Sequence, residues 1–234
     1  MPCFNAFSPE RSIVWSALCA CLVGGQAHAQ APAAPATVST SSPALQELLA
    51  RFAAMSGLSA KFREEKHMAL LAAPLVNEGV LYFAPKGRLA RHITAPAPAT
   101  VLIDEGSLRY ADAGGSETMS LDQNPVLRLF VESFVKIFAG DRVALERMYS
   151  LSLTSLPAGA DGVPRWSLGL KPRVAPMTQI IDRIEITGHD VTLETMRVIE
   201  IGGDETVTSF SEVDTKRRFT PQELTTLFTL PARR

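Results

Sequence analysis

The stretch Pro125–Asp141 reads PVLRLFVESFVKIFAGD, and the fold turns on what it does. It predicts a helix: Asn124 fits as N-cap, Pro125 takes the first helical position, and Gly140 falls just past the end. Arg128, Glu132 and Lys136 recur at fours and make one narrow polar stripe, with Ser133 beside it. The other residues from Val126 to Ala139 are Val, Leu, Phe, Ile or Ala. A helix resting on one core needs apolar residues on one side only. This one carries apolar surface around most of its circumference, so something must cover it. Two readings stand. The helix is ordinary core, wedged between a sheet and a second helix, or it lids a cavity in which a ligand supplies the missing contact. Phe130, Phe134 and Phe138 recur at fours and form an aromatic ridge suited to lining such a cavity.

Upstream, Leu45, Leu48, Leu49 and Phe52 follow one another at i, i+3, i+4, i+7, an amphipathic helix starting at Ser42-Pro43 and ending near Gly57. From Leu58 to Tyr110 the pattern changes to strands: Leu58–Met68, Gly79–Ala84, Arg88–Thr94, Thr100–Ile103 and Leu108–Tyr110, the last two joined by the hairpin turn Asp104-Glu105-Gly106-Ser107. Met119–Leu121 leads into the apolar helix, and Asp141 caps a short helix to Tyr149. Downstream, Trp166, Leu168 and Leu170 alternate with polar residues or glycine. Ile180–Thr187 follows, and Val191–Ile201 and Glu205–Val213 are joined by Gly202-Gly203-Asp204. The pattern implies an α+β domain: one curved antiparallel sheet, a helix before it, and a helical insertion in its middle.

The chain of 234 residues is 46% hydrophobic and 20% charged, with net charge -1. That balance excludes a basic nucleic-acid binder and a disordered chain. Ser12–Gly25 is an apolar run after a short leader, and Ala27-His28-Ala29 carries small residues where a signal peptidase reads. Residues 1–29 are therefore expected to be a secretory signal, 30–43 an Ala/Pro/Ser linker, and 44–234 the folded domain. An alternative is lipidation of Cys21 in Leu18-Cys19-Ala20-Cys21. All three cysteines (Cys3, Cys19 and Cys21) fall within the expected signal, which leaves no thiol for a disulfide, a nucleophile or a metal. The expected location is the periplasm.

Enzyme signals are poor. His67, His92 and His189 stand alone in sequence, and there is no Gly-x-Ser-x-Gly, phosphate loop or GxGxxG. Glu64 and Glu65 are adjacent, so on a strand they face opposite ways, and they read as a solvated edge rather than a paired acid and base. Neither a catalytic group, a metal nor a cofactor is expected. A lipid-modifying esterase would need a serine paired in space with one of the three histidines.

The order of short motifs resembles the LolA family of periplasmic lipoprotein carriers, over about Leu45 to Pro231. The matching stretches are GLSAKFREE (Gly57–Glu65), GVLYFAPKG (Gly79–Gly87), VLIDEGSLRYAD (Val101–Asp112), the helical insertion, WSLGLKPR (Trp166–Arg173), the Gly202-Gly203 hairpin and FTLP (Phe228–Pro231). The resemblance implies an unclosed β half-barrel with a helical lid over an apolar cavity. It implies acyl chains as ligand, an inner-membrane transporter of ABC or RND type as donor, an outer-membrane acceptor, and a monomer. The expected lining is Leu127, Phe130, Phe134 and Ile137 from the lid, with Tyr82, Phe83, Ile103, Trp166 and Leu168 from the sheet. GDRVALERMY (Gly140–Tyr149), followed by a short loop and W-x-L-x-L-x-P, looks like a divergent branch of the family, and two departures bear on the gate and the cargo. Ala84 stands where the lipoprotein carrier has a lid-holding arginine, and Glu64 occupies a frequent glutamine position. The cargo is thus a lipoprotein or another lipid, and related readings are a helper of a glycolipid or polyketide-lipid exporter and an envelope sensor that binds a protein partner.

Overall fold

The computed structural model describes residues 43–230 apart from 85, 105 and 124, and within the lid helix only the backbone at Val126, Leu127 and Phe130. The expected signal, the linker up to Ser42, Cys21 and the Asn124 cap lie outside these residues, whereas Pro43 opens the first helix.

Helix α1 (Pro43–Ala53) buries the four residues at its helical spacing, Leu45, Leu48, Leu49 and Phe52. Six strands follow: β1 (Leu58–His67), β2 (Leu75–Ala84), β3 (Arg88–Ala95), β4 (Ala99–Asp104), β5 (Ser107–Asp112) and β6 (Gly115–Ser120). A 3-10 turn at Leu121–Gln123 leads to α2 (Pro125–Phe138) and α3 (Arg142–Met148), the latter capped by the Asp141 carboxylate, which accepts from the Ala144 amide. Strands β7 (Tyr149–Leu156), β8 (Arg165–Pro172), β9 (Ile181–His189), β10 (Thr192–Glu200) and β11 (Glu205–Asp214) complete the sheet, and α4 (Pro221–Leu227) follows it. Two of these elements are additions to the sequence reading. β7 carries the alternation Tyr149-Ser150-Leu151-Ser152-Leu153, with Tyr149 and Leu151 buried. α4 opens on a capping box, Thr220 and Glu223 each closing on the other's backbone amide. β2 also starts four residues before Gly79, because Leu75 and Val76 pair with Lys66 and Glu65 of β1.

All strands lie in one eleven-stranded sheet of order β6-β5-β4-β3-β2-β1-β11-β10-β9-β8-β7, antiparallel at each ladder. β6 and β7 are its two edges and do not pair, so the sheet is an unclosed half-barrel. The same two strands are joined in sequence by α2 and α3. A connection between opposite edges of a curved sheet has to cross its mouth, and that places the lid.

Several contacts cover the apolar surface of α2. Phe138 packs on Phe83, ring centroids 5.1 Å apart. Val131 joins a small core with Leu108 and Leu121. Val135 meets the β2–β3 turn, where a Cβ on Gly87 would come within 2.8 Å of it. Ser133 is fully buried and bonds the Tyr149 hydroxyl at 2.5 Å. Gly140 ends the helix at φ +64°, and a Cβ there would lie 2.1 Å from the Leu49 carbonyl oxygen of α1. Only glycine tolerates both the backbone and the approach.

α1 shares the main core with β7–β9, and Phe52 meets Trp166 edge to face at 6.0 Å. On the convex side, α4 and Phe228 cover Ala84, Ala90 and Leu102, and Leu227 O accepts a hydrogen bond from His92 Nε2 at 2.8 Å.

Candidate functional site

Between α2 and the concave face lies a cavity of about 220 Å3. Its roof is Val131, Phe134, Ile137 and Phe138 of α2. Its walls come from β1 to β6 on one side, including Phe62, Leu81, Leu89 and Ile103, and from β9 to β11 on the other, including Ile186, Val198 and Phe210. β7, β8 and α1 contribute nothing to the lining. α1 packs into that half of the trough, so the open volume is displaced toward the β1–β6 half.

The wall is apolar except around β1, β3 and β11 and at Tyr110 and Glu117 of β5 and β6. Glu64, in phase with Leu58, Ala60 and Phe62, points inward and is 8% exposed. Arg91 Nη2 donates to Glu64 Oε1 at 2.7 Å, and Thr208 Oγ1 donates to Oε2 at 3.3 Å. The Arg91 guanidinium lies over the Phe62 ring, 4.3 Å from its centroid. Burial pushes the Glu64 carboxyl up, but the Arg91 charge outweighs it together with hydrogen bonds from Arg91, Asn77 and Thr208. The net result is a carboxyl held below its ordinary range, ionised beside its partner. Two residues along β1, Lys66 and Glu200 form a second pair at 3.0 Å, with side chains 5% and 11% exposed. These two pairs correct the reading of Glu64 as a solvated edge. β1 is an inner strand, flanked by β2 and β11, and its even-numbered residues face the trough.

The histidines are dispersed. His92 contacts a backbone carbonyl, His189 Nδ1 lies 3.0 Å from Glu194, and His67 lies 3.5 Å from Glu65. Among the described residues no three His, Cys, Asp or Glu side chains gather as a metal site.

The family model described as outer membrane lipoprotein carrier protein LolA-like matches residues 33–226. The chain belongs to this LolA-like family. No curated protein matches it. Among solved structures, the LolA superfamily protein NE2245 from Nitrosomonas europaea is 12% identical, with TM-score 0.42 over 80% of this chain and 97% of that one. The Pseudomonas aeruginosa MucA/MucB complex is 15% identical, with TM-score 0.46 over 77% and 60%. Mycobacterium tuberculosis lipoprotein LppX is 8% identical, with TM-score 0.41 over 77% and 99%.

Within this LolA-like chain the residues singled out from sequence fall in four places. Phe134, Ile137 and Ile103 line the cavity together. Phe83 and Leu168 are buried in the adjoining core. Trp166 packs against Phe52, and its indole Nε1 donates to the Asp190 carbonyl at 2.9 Å. Tyr82 faces the convex side, beside His92 at 5.6 Å and Phe219 at 6.2 Å, because it is one residue out of phase with Leu81 and Phe83. The side chains of Leu127 and Phe130 lie outside the described set. Ala84 is fully buried beneath α4 and Phe228. Sequence reasoning missed Glu64 and Arg91. The signal for Glu64 was its parity with Leu58, Ala60 and Phe62.

Proposed function

We propose that this protein is a periplasmic carrier that holds acyl chains of a lipoprotein or another lipid beneath α2 and moves them from the inner to the outer membrane. What supports the reading is the cavity itself: an apolar space roofed by a helix that bridges the two open edges of a half-barrel. Binding needs no covalent step. Each methylene removed from water contributes about 0.8 kcal/mol, so a chain of ten carbons gains on the order of 8 kcal/mol before ordering costs. The cavity is smaller than the roughly 300–1,000 Å3 usual for ligand pockets. Longer or multiple chains therefore require α2 to lift from β4 and β5. An inner-membrane transporter loads the cavity and an outer-membrane acceptor empties it. Among the described residues no helix is long and apolar enough to cross a membrane.

The test is native mass spectrometry of the protein isolated gently from a periplasmic extract, followed by organic extraction of what it carries. An acylated adduct is expected, and Phe134→Asp, which sets a charge in the roof, should abolish it. An unliganded mass in the wild type, with no uptake of added lipopeptide or phospholipid, refutes the carrier role.

A further inference from the structure

A trough built only for hydrocarbon has no use for charge, and burying an ion pair costs desolvation that its attraction barely offsets. Yet Glu64 and Arg91 stand in the cavity wall. Their hydrogen-bond accounts are unequal. Both Glu64 oxygens are engaged, Oε1 by Arg91 and Oε2 by Thr208. Arg91, with five N–H donors available to a guanidinium, is bonded through Nη2 to Glu64, and its Nε is buried with no acceptor. A buried orphan donor is costly, and of the four arginines among the described residues whose buried Nε lacks an acceptor only Arg91 lines the cavity. The surplus at this point is therefore N–H, and the missing partner is an acceptor.

The charge state of the surroundings says which kind of acceptor. Arg91 is already neutralised by the ionised Glu64, and Lys66 nearby is taken by Glu200. Glu117 is a further carboxylate in the lining. An anionic group brought to Arg91 would lie against Glu64 with no spare cation to balance it. A neutral carbonyl meets no such penalty. Resting on the carrier reading above, we propose that Arg91, held in place by Glu64, is a specificity-determining residue that donates a hydrogen bond to the neutral carbonyl of an ester- or amide-linked acyl chain. The hydrocarbon then runs along Phe62, Leu89, Ile103 and the roof. The protein prefers acyl linkages to bare alkanes and to free fatty acids.

The experiment compares methyl decanoate, undecane and decanoate as competitors for a fluorescent apolar probe in the cavity. It uses the wild type, the double variant Glu64→Leu/Arg91→Met, and Arg91→Lys, which keeps a partner for Glu64 but removes the planar fork. The ratio of ester to alkane affinity, compared between proteins, cancels the different solubilities of the two probes. A hydrogen bond to a charged donor corresponds to roughly 10- to 100-fold in affinity. The ratio should therefore fall by about that factor in both variants, and decanoate should bind the wild type more weakly than its ester. Equal ratios in all three proteins, or tighter binding of decanoate than of the ester, overturn the proposal while leaving the carrier intact. Failure of the wild type to bind any of the three overturns both.

Discussion

Replacing Arg91 by Met tests the electrostatic logic of the cavity wall directly. The substitution keeps most of the side-chain length over Phe62 and removes only the guanidinium. Glu64 is then left buried with Thr208 and Asn77 but without a countercharge. Removing one partner of a buried pair costs about 3–5 kcal/mol, and the 23% exposure of the Arg91 side chain points to the low end, about 3 kcal/mol at pH 7. The pH dependence has a definite sign. In the wild type the folded-state pKa of Glu64 lies below its ordinary value of 4.5, so its stabilisation is present above that value and lost as pH falls through the folded one. Without Arg91, burial becomes the dominant influence and raises the pKa. The folded state then favours the protonated acid, and the penalty present at neutral pH disappears on acidification. The gap between wild type and Arg91→Met should be widest at pH 7 and close as pH drops to 4. Urea unfolding at pH 7, 5.5 and 4 measures it, because titrations common to both proteins cancel. Glu64→Leu/Arg91→Met should lie within about 1 kcal/mol of wild type, or above it, since it removes both charges together. A loss under about 1 kcal/mol at pH 7, a loss of equal size at pH 4, or a double variant as damaged as the single one refutes the reasoning.

Three other substitutions probe how the lid is fixed. Gly140→Ala places a Cβ 2.1 Å from the Leu49 carbonyl at φ +64°, and should cost at least about 2 kcal/mol, one or two of them from the left-handed backbone alone, measured as a lowered denaturation midpoint. Ser133→Ala should cost about 1–3 kcal/mol because it leaves the Tyr149 hydroxyl buried without a partner. Tyr149→Phe should cost less, about 1 kcal/mol, because Ser133 keeps its bond to the Leu129 carbonyl; equal losses would contradict this ordering.

Much of the fold is readable from local pattern. The spacing of Leu45, Leu48, Leu49 and Phe52 gives α1 its buried face, and the Asp104–Ser107 and Gly202–Asp204 turns mark hairpins that the structure contains. β7 and α4 also carry local signals, an apolar-polar alternation from Tyr149 and a Thr-x-x-Glu box at Thr220. What local pattern does not carry is facing. Tyr82 and Phe83 are both aromatic and adjacent, and only the ladder with β1, where Leu58 opposes Phe83, decides which of them meets the core. Glu64 is legible as a polar residue in a strand, but its burial depends on β11, whose Thr208 lies opposite it from a distant part of the sequence. The half of the trough that stays open is set by where α1 docks, again a long-range contact. The aromatic ridge of α2 does reach the site, through Phe134, because a helix carries its facing in its own periodicity.

Every ladder of the sheet except one joins strands that are neighbours in the chain. The exception is β1 with β11, where Phe62 opposes Phe210 and Glu64 opposes Thr208. This seam runs down the middle of the cavity, so the walls exist as a single surface only after the first and last strands have met. During synthesis β1 waits with one edge unpaired until nearly the whole domain has emerged. Two hairpin stacks, each with a bare apolar face, are the natural intermediates, and such exposed edges are where chains aggregate or exchange strands. Closing a contact of this sequence separation is slow. The assembly step that completes the binding surface is therefore also the point at which the newborn chain is most in need of a holding chaperone.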